Sequence, residues 1–203
     1  MDDHAYASLP DTFLTVGVLA GFHDEGRRVA RSIRGNLLSR LIHRAEEGER
    51  FSRELLSDDA VLTLKDEPRR NDILLSACIV VRKGEQISIL TAGNYDVWCA
   101  GASGISQVVA GSSVYRSAAS AGVAVEGRYK NICTAALSSD HQKSAIQHVD
   151  LVHSPTDTLM ITIGDVEPEW VFERSRSLGR GLVVFAVDEG AEVRLTATFL
   201  CRR

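Results

Sequence analysis

The hydrophobic period of this chain changes at Gly21, and that change limits the fold more than any other feature. Residues 12–20 read TFLTVGVLA, a short apolar run rich in β-branched residues, which suits a strand buried on both faces. Beyond Gly21 the apolar residues space out. Val29, Ile33, Leu37 and Leu41 recur every four positions, Asp24 and Glu25 stand near the start, and Gly48 follows the end. The pattern predicts a helix over 24–47, with acidic residues at its positive end and a glycine past its last turn. A second helix is expected over 49–64, carrying Phe51, Leu55, Leu56 and Ala60, with Pro68 stopping it.

After Asn71 the chain turns strand-like. ILLSACIVV, QISILTA and YDVWCA, separated by turns at 82–85 and at Gly93 and Asn94, read as a three-strand antiparallel meander. Residues 101–127 are crowded with small side chains and are expected to form short strands and loops. Further strands are expected over 146–153 and 158–163, a helix over 167–178, and a C-terminal hairpin of GLVVFAV and VRLTATFL around DEGAE. No repeat, proline-rich linker or low-complexity tract interrupts the 203 residues, so a single domain over 1–203 is expected. An antiparallel meander with grouped helices favours the α+β class.

Several functions are excluded on composition. A net charge of −4 lacks the clustered positive charge that displaces counterions, so no nucleic-acid partner is expected. No apolar run approaches the ~18 to 20 residues that cross a bilayer, and the start Met1, Asp2, Asp3 lacks a basic leader. No membrane partner is expected, and the location is read as cytoplasmic. Cys78, Cys99, Cys133 and Cys201 form no C-x-x-C pair and read as small core hydrophobes. Nucleophile-elbow, P-loop, dinucleotide-binding and H-E-x-x-H motifs do not occur. His141, His148 and His153 share one segment, yet their spacing does not place them on one face. Asp157, Asp165 and Asp188 lie at strand ends, where carboxylates can hold a hard cation.

The order of segments is more specific than any one residue. TVGVLAGFHDEGRRVAR, two helices, DILLSACIVV, ISILTAGNYDVWCAG, YKNICTAALSSD, PTDTLMITIGDVEPEWV and a terminal hairpin together resemble the metal-dependent protein phosphatase family of type 2C. The resemblance spans about 13–200. It implies that family's β-sandwich flanked by helices, here shortened at the N-terminus.

The departures from the family pattern fall on its chemistry. Where the family places a metal-bridging aspartate after the first strand, this chain has Ala20; Gly21, whose counterpart offers a backbone carbonyl, is kept. A methyl group cannot ligate a cation. The aspartate of the late Asp-Gly falls on Gly164, with Asp165 one position on, and a one-residue slip in a strand turns a side chain to the other face. The Gly-Asp-Ser-Arg segment reads Gly93, Asn94, Tyr95, Asp96, and the threonine-arginine-alanine-leucine segment reads Thr134, Ala135, Ala136, Leu137. Asp188 is followed by Glu189 rather than asparagine, and the family's opening strands have no room before Phe13.

Two hard cations need several converging carboxylates. The expectation from sequence is therefore no metal, no cofactor and no catalysis: a phosphatase-like module that binds a peptide or partner protein, as an accessory in bacterial peptide natural-product biosynthesis or as a signalling regulator. Loss of opening strands exposes a sheet edge. A peptide strand, another protein or a second copy in a homodimer is expected to cover it, near 12–18 or along Val193, Leu195 and Ala197. Arg27, Arg31 and Arg34 fall on one side of the first predicted helix, away from Val29 and Ile33, and suit an acidic or phosphorylated peptide. Two alternatives stand beside this reading: a divergent metal-dependent phosphatase using Asp157, Asp165 and Asp188, and a phosphopeptide reader using the three arginines.

Overall fold

The structure is a computed structural model, and it describes residues 4–19, 24–67, 75–124, 133–137, 145–152, 154, 156–164, 166–179, 181–188 and 193–199. The element order is β1(His4–Ser8), β2(Thr12–Leu19), α1(Asp24–Glu46), α2(Arg53–Lys65), β3(Ser76–Lys83), β4(Gln86–Ala92), β5(Tyr95–Gly101), β6(Gly104–Val109), α3(Val114–Ser120), β7(Ile146–Val152), β8(Thr158–Ile163), α4(Pro168–Arg176), β9(Leu182–Asp188) and β10(Val193–Phe199). The class is α+β, as expected. Two compact units divide it: Met1–Gly93 with Ala135–Leu151, and Asn94–Thr134 with Val152–Arg203.

The first unit is built on a sheet in the order β1-β2-β3-β4-β7. All but one residue of β2 is buried, which is the two-sided burial its unbroken apolar run predicts. From α1, Val29, Ile33, Leu37 and Leu41 join Leu56, Ala60 and Leu64 of α2 in a core closed by Leu14, Val16, Ile79 and Leu90 of the sheet. Each such leucine or isoleucine contributes about 1.5–3 kcal/mol on burial. Ser52 caps α2, its Oγ accepting from the Leu55 amide at 3.2 Å.

A partly buried ion pair ties the two helices together, beside an exposed one between Arg40 and Asp66. The Arg44 guanidinium donates through Nε to Asp59 Oδ2 at 2.5 Å and through Nη2 to Oδ1 at 2.9 Å, while Nη1 reaches Glu49 Oε2 at 2.8 Å. The Asp59 side chain is fully buried. Its hydrogen bonds, followed by those of Glu49, hold Arg44 more firmly protonated than a free arginine.

The second unit carries a sheet in the order β10-β9-β8-β5-β6. Neighbouring strands are antiparallel except β8 and β9, which run parallel and are joined through α4, as a parallel pair requires a crossover connection. Met160, Val171, Val184 and Ala186 form its core with Ala100 and Leu182, and Trp98, Trp170 and Phe172 pack against them. Trp98 is half-buried, its indole Nε1 donating to Thr162 Oγ1 at 3.2 Å, and it packs on this core.

Three expectations are corrected. Residues 4–8 form a strand where none was expected: β1 pairs antiparallel with β2, Thr15 Oγ1 donates to the Ala5 carbonyl, and the Tyr6 and Phe13 rings stack 6.3 Å apart. Residues 12–18 therefore lie inside the sheet and form no open edge. The meander also breaks at Gly93. β3 and β4 pair as a hairpin, but β5 pairs with β6 and β8 in the other sheet. Gly93 adopts φ 87°, and a Cβ there would collide with Ser76, so the turn that looked like a second hairpin redirects the chain between sheets. Finally, the small-residue stretch contains a helix, α3, capped by Ser113 Oγ on the Arg116 amide at 3.2 Å.

Removing Arg44 leaves the buried Asp59 side chain with no guanidinium. Arg44→Met is expected to cost about 3 kcal/mol or more in urea unfolding, and Glu49→Gln, at the exposed end of the pair, less than about 1 kcal/mol.

Candidate functional site

Strand register decides which residues share an end of the second sheet. β5 and β8 pair with Tyr95 opposite Ile163, and β8 and β9 pair with Ile163 beside Val187. One step further brings Asn94, Gly164 and Asp188 level on three adjacent strands. The segment resembling Gly-Asp-Ser-Arg and the late strand end thus meet at one place. Gly164 takes φ 89°, a left-handed conformation that ends the strand at little cost only for glycine. Asn94 is buried, and Gly111 packs so closely on it that a Cβ would lie 2.6 Å from the Asn94 carbonyl carbon.

Next to Asn94 the chain is locked by Asp96. This carboxylate accepts from the Gly111 amide at 2.8 Å, from Gln107 Nε2 at 3.0 Å and from the Arg116 guanidinium. The four residues fasten β5, the end of β6 and α3 to one another. Burial pushes the Asp96 carboxyl above its ordinary range, and the donors, led by the Gly111 amide, pull it back only in part. Sequence comparison pointed to this position as a family arginine replaced, but the buried carboxylate and its three donors are visible only in the fold.

The residues singled out in the sequence do not all converge. Asp157 immediately precedes β8, whereas Asp188 ends the parallel strand β9. The two positions lie at opposite ends of the sheet, about 20 Å apart in backbone terms along a six-residue strand, so Asp157 is removed from a shared site with Asp188. Ala20, Gly21 and Asp165 lie outside the described residues, as do His141 and His153. The arginines of α1 are not one solvated stripe: Arg31 is exposed, Arg27 half-buried and Arg34 buried at the margin of the apolar face. Among the described residues β10 is an edge strand, but Val193, Leu195 and Ala197 pack against the unit's own core. Cys78 is buried, Cys99 and Cys133 are half-buried, and Cys201 lies outside the described residues.

Two hard cations would need a ring of oxygen donors. Among the described residues no three His, Cys, Asp or Glu side chains gather closely enough to hold a metal ion. At the shared sheet end Asn94 supplies an amide and Gly164 no side chain. The described donors do not compose a two-cation site.

No family model matches the sequence, and no curated protein does. Solved structures do match. A Stage II sporulation E family protein from Thermanaerovibrio acidaminovorans superposes with a TM-score of 0.58 at 12% identity, covering 78% of each chain. The catalytic domain of the serine/threonine protein phosphatase PstP, in complex with two manganese ions, gives 0.61 at 11% identity over 87% of this chain and 78% of that one. The serine/threonine phosphatase Stp1 from Staphylococcus aureus gives 0.52 at 13% identity over 75% of this chain and 66% of that one. The chain has the type 2C phosphatase fold. These matches overturn the expectation that it is not an enzyme: structures sharing its fold are serine/threonine phosphatases, one holding two manganese ions. No helix among the described residues is long and apolar enough to cross a membrane.

Because the folded state binds the Asp96 proton more tightly than the unfolded chain, this residue's contribution to stability declines as pH rises from the usual carboxylate value near 3.8 to its raised value. Carboxyl NMR is expected to show Asp96 titrating above 3.8, and Asp96→Asn to remove that part of the pH dependence of unfolding. A titration at or below 3.8 would show the donors, not burial, in control.

Proposed function

We propose that this chain is a divergent phosphatase-type domain acting on a phosphorylated peptide or protein in the bacterial cytoplasm, with the client's phosphoryl group handled at the sheet end where Asn94, Gly164 and Asp188 come level. The observation that carries this reading is the register of β5, β8 and β9. It joins two segments that resemble the phosphatase motifs, within a fold shared with serine/threonine phosphatases. Asp188, and Asp165 next to Gly164 in the sequence, are the carboxylates nearest that end by chain position. The direct test is hydrolysis of phosphoserine and phosphothreonine peptides with manganese and with a chelator. Asp188→Asn and Asp165→Asn are each expected to lower the rate at least about tenfold, while Glu173→Gln, on the exposed side of α4, leaves it unchanged. Absence of hydrolysis under every condition, or equal rates in all variants, would overturn the reading.

A second reading is favoured by the edge strand β10, which has β9 on one side and no strand on the other among the described residues. Main-chain pairing there would receive a peptide strand, a partner protein or a second copy of the chain, with affinity from the backbone. A peptide-handling accessory or a signalling regulator would use such an edge. If it is used, hydrogen exchange with a bound client slows at alternate β10 amides, and the affinity depends only weakly on salt; a steep salt dependence would favour the α1 arginines instead.

A further inference from the structure

At the opposite end of the second sheet, away from Asn94, Gly164 and Asp188, a cavity of about 460 Å3 opens between the end of β5, the approach to β8 and the last turn of α4. Its working wall is formed by Gly101, Thr156, Asp157, Phe172, Arg176 and Gly179. A volume of this size matches pockets that take small organic molecules and is far larger than a lone ion needs.

Two opposite charges face this space. Gly101 leaves room for the Asp157 carboxylate: a Cβ at 101 would stand 2.5 Å from Oδ1 and 2.9 Å from Cγ. Asp157 is half-buried and forms no ion pair with another described residue. Its backbone is pinned by the Asp157 amide donating to the Ser154 carbonyl at 3.0 Å. Arg176, an exposed residue that also lines the cavity, holds its guanidinium over the Phe172 ring, 5.8 Å from the centroid, a placement that steadies the cation on an apolar plate. Arg176 likewise forms no ion pair with a described residue. It also ends α4, where the outward carbonyls of the last turn favour positive charge nearby.

The cavity lining therefore carries one carboxylate and one guanidinium, which a simple anion or a simple cation would match only in part. A molecule carrying both charges satisfies both. We propose that this cavity binds a small zwitterion of amino-acid size, its ammonium on Asp157, its carboxylate on Arg176 and its apolar portion against Phe172 and Ala102. The site is separate from the sheet end assigned to phosphoryl chemistry, so either assignment stands or falls without the other.

The test uses the full chain, calorimetry and thermal melting, with the twenty free L-amino acids as probes and acetate and methylammonium as single-charge controls. At least one amino acid with an apolar side chain is expected to bind saturably and raise the melting temperature, while acetate and methylammonium do neither. Asp157→Asn and Arg176→Gln each keep the native far-ultraviolet dichroism and weaken binding at least about tenfold, as loss of one charged hydrogen bond predicts. Failure of every amino acid to saturate, undiminished binding in both variants, or equal binding of a single-charge control would each overturn the proposal.

Discussion

The parallel pairing of β8 with β9 is the constraint on which the second unit's chemistry depends. Parallel neighbours cannot be joined by a tight turn, so α4 must carry the chain from one end of the sheet back to the other. The crossover gives the sheet two unlike ends. At one, β8 and β9 finish where β5 begins, and Asn94, Gly164 and Asp188 come level. At the other, α4 delivers Phe172 and Arg176 beside the residues that lead into β8. Neither cluster is local in sequence, and both follow from the same pairing.

Asp96 shows how such an end is kept in order. A buried carboxylate is costly unless its lone pairs are filled, and here a backbone amide, a carboxamide and a guanidinium converge on it. Those donors come from β6 and the segment after it, a stretch that sequence composition makes look irregular. Small residues there allow close approach, as Gly111 on Asn94 demonstrates. The same chemistry operates in the first unit, where Asp59 is buried against Arg44, but there it joins two helices and faces no candidate site.

Most of the elements were legible in the sequence because their hydrophobic periods are strong. The four-residue spacing of Val29, Ile33, Leu37 and Leu41 yields α1, the unbroken run of 12–19 yields β2, and 158–163 yields β8 with the expected bounds. β1 was hidden because HAYAS contains little apolar bulk; Pro10 and Asp11 in the following turn, with Leu9 donating to the Thr12 carbonyl, were the available signal. The exchange of sheets at Gly93 was not legible at all. An apolar strand after a Gly-Asn turn looks the same whether it folds back on β4 or joins another sheet, and pairing partners far along the chain decide it. For the same reason the three aspartates at strand ends could not be sorted. That Asp157 and Asp188 mark opposite ends depends on strand direction, which no single residue encodes.

The discontinuity of the first unit carries a consequence for how the chain is made. Its sheet is completed by β7, and Leu137 bridges to Leu75, yet the intervening residues 94–134 belong to the other unit. During synthesis β4 therefore emerges, and waits, with one edge unpaired until about sixty further residues have left the ribosome, a delay of several seconds at ordinary elongation rates. The nascent chain is exposed to strand-edge mispairing through that interval.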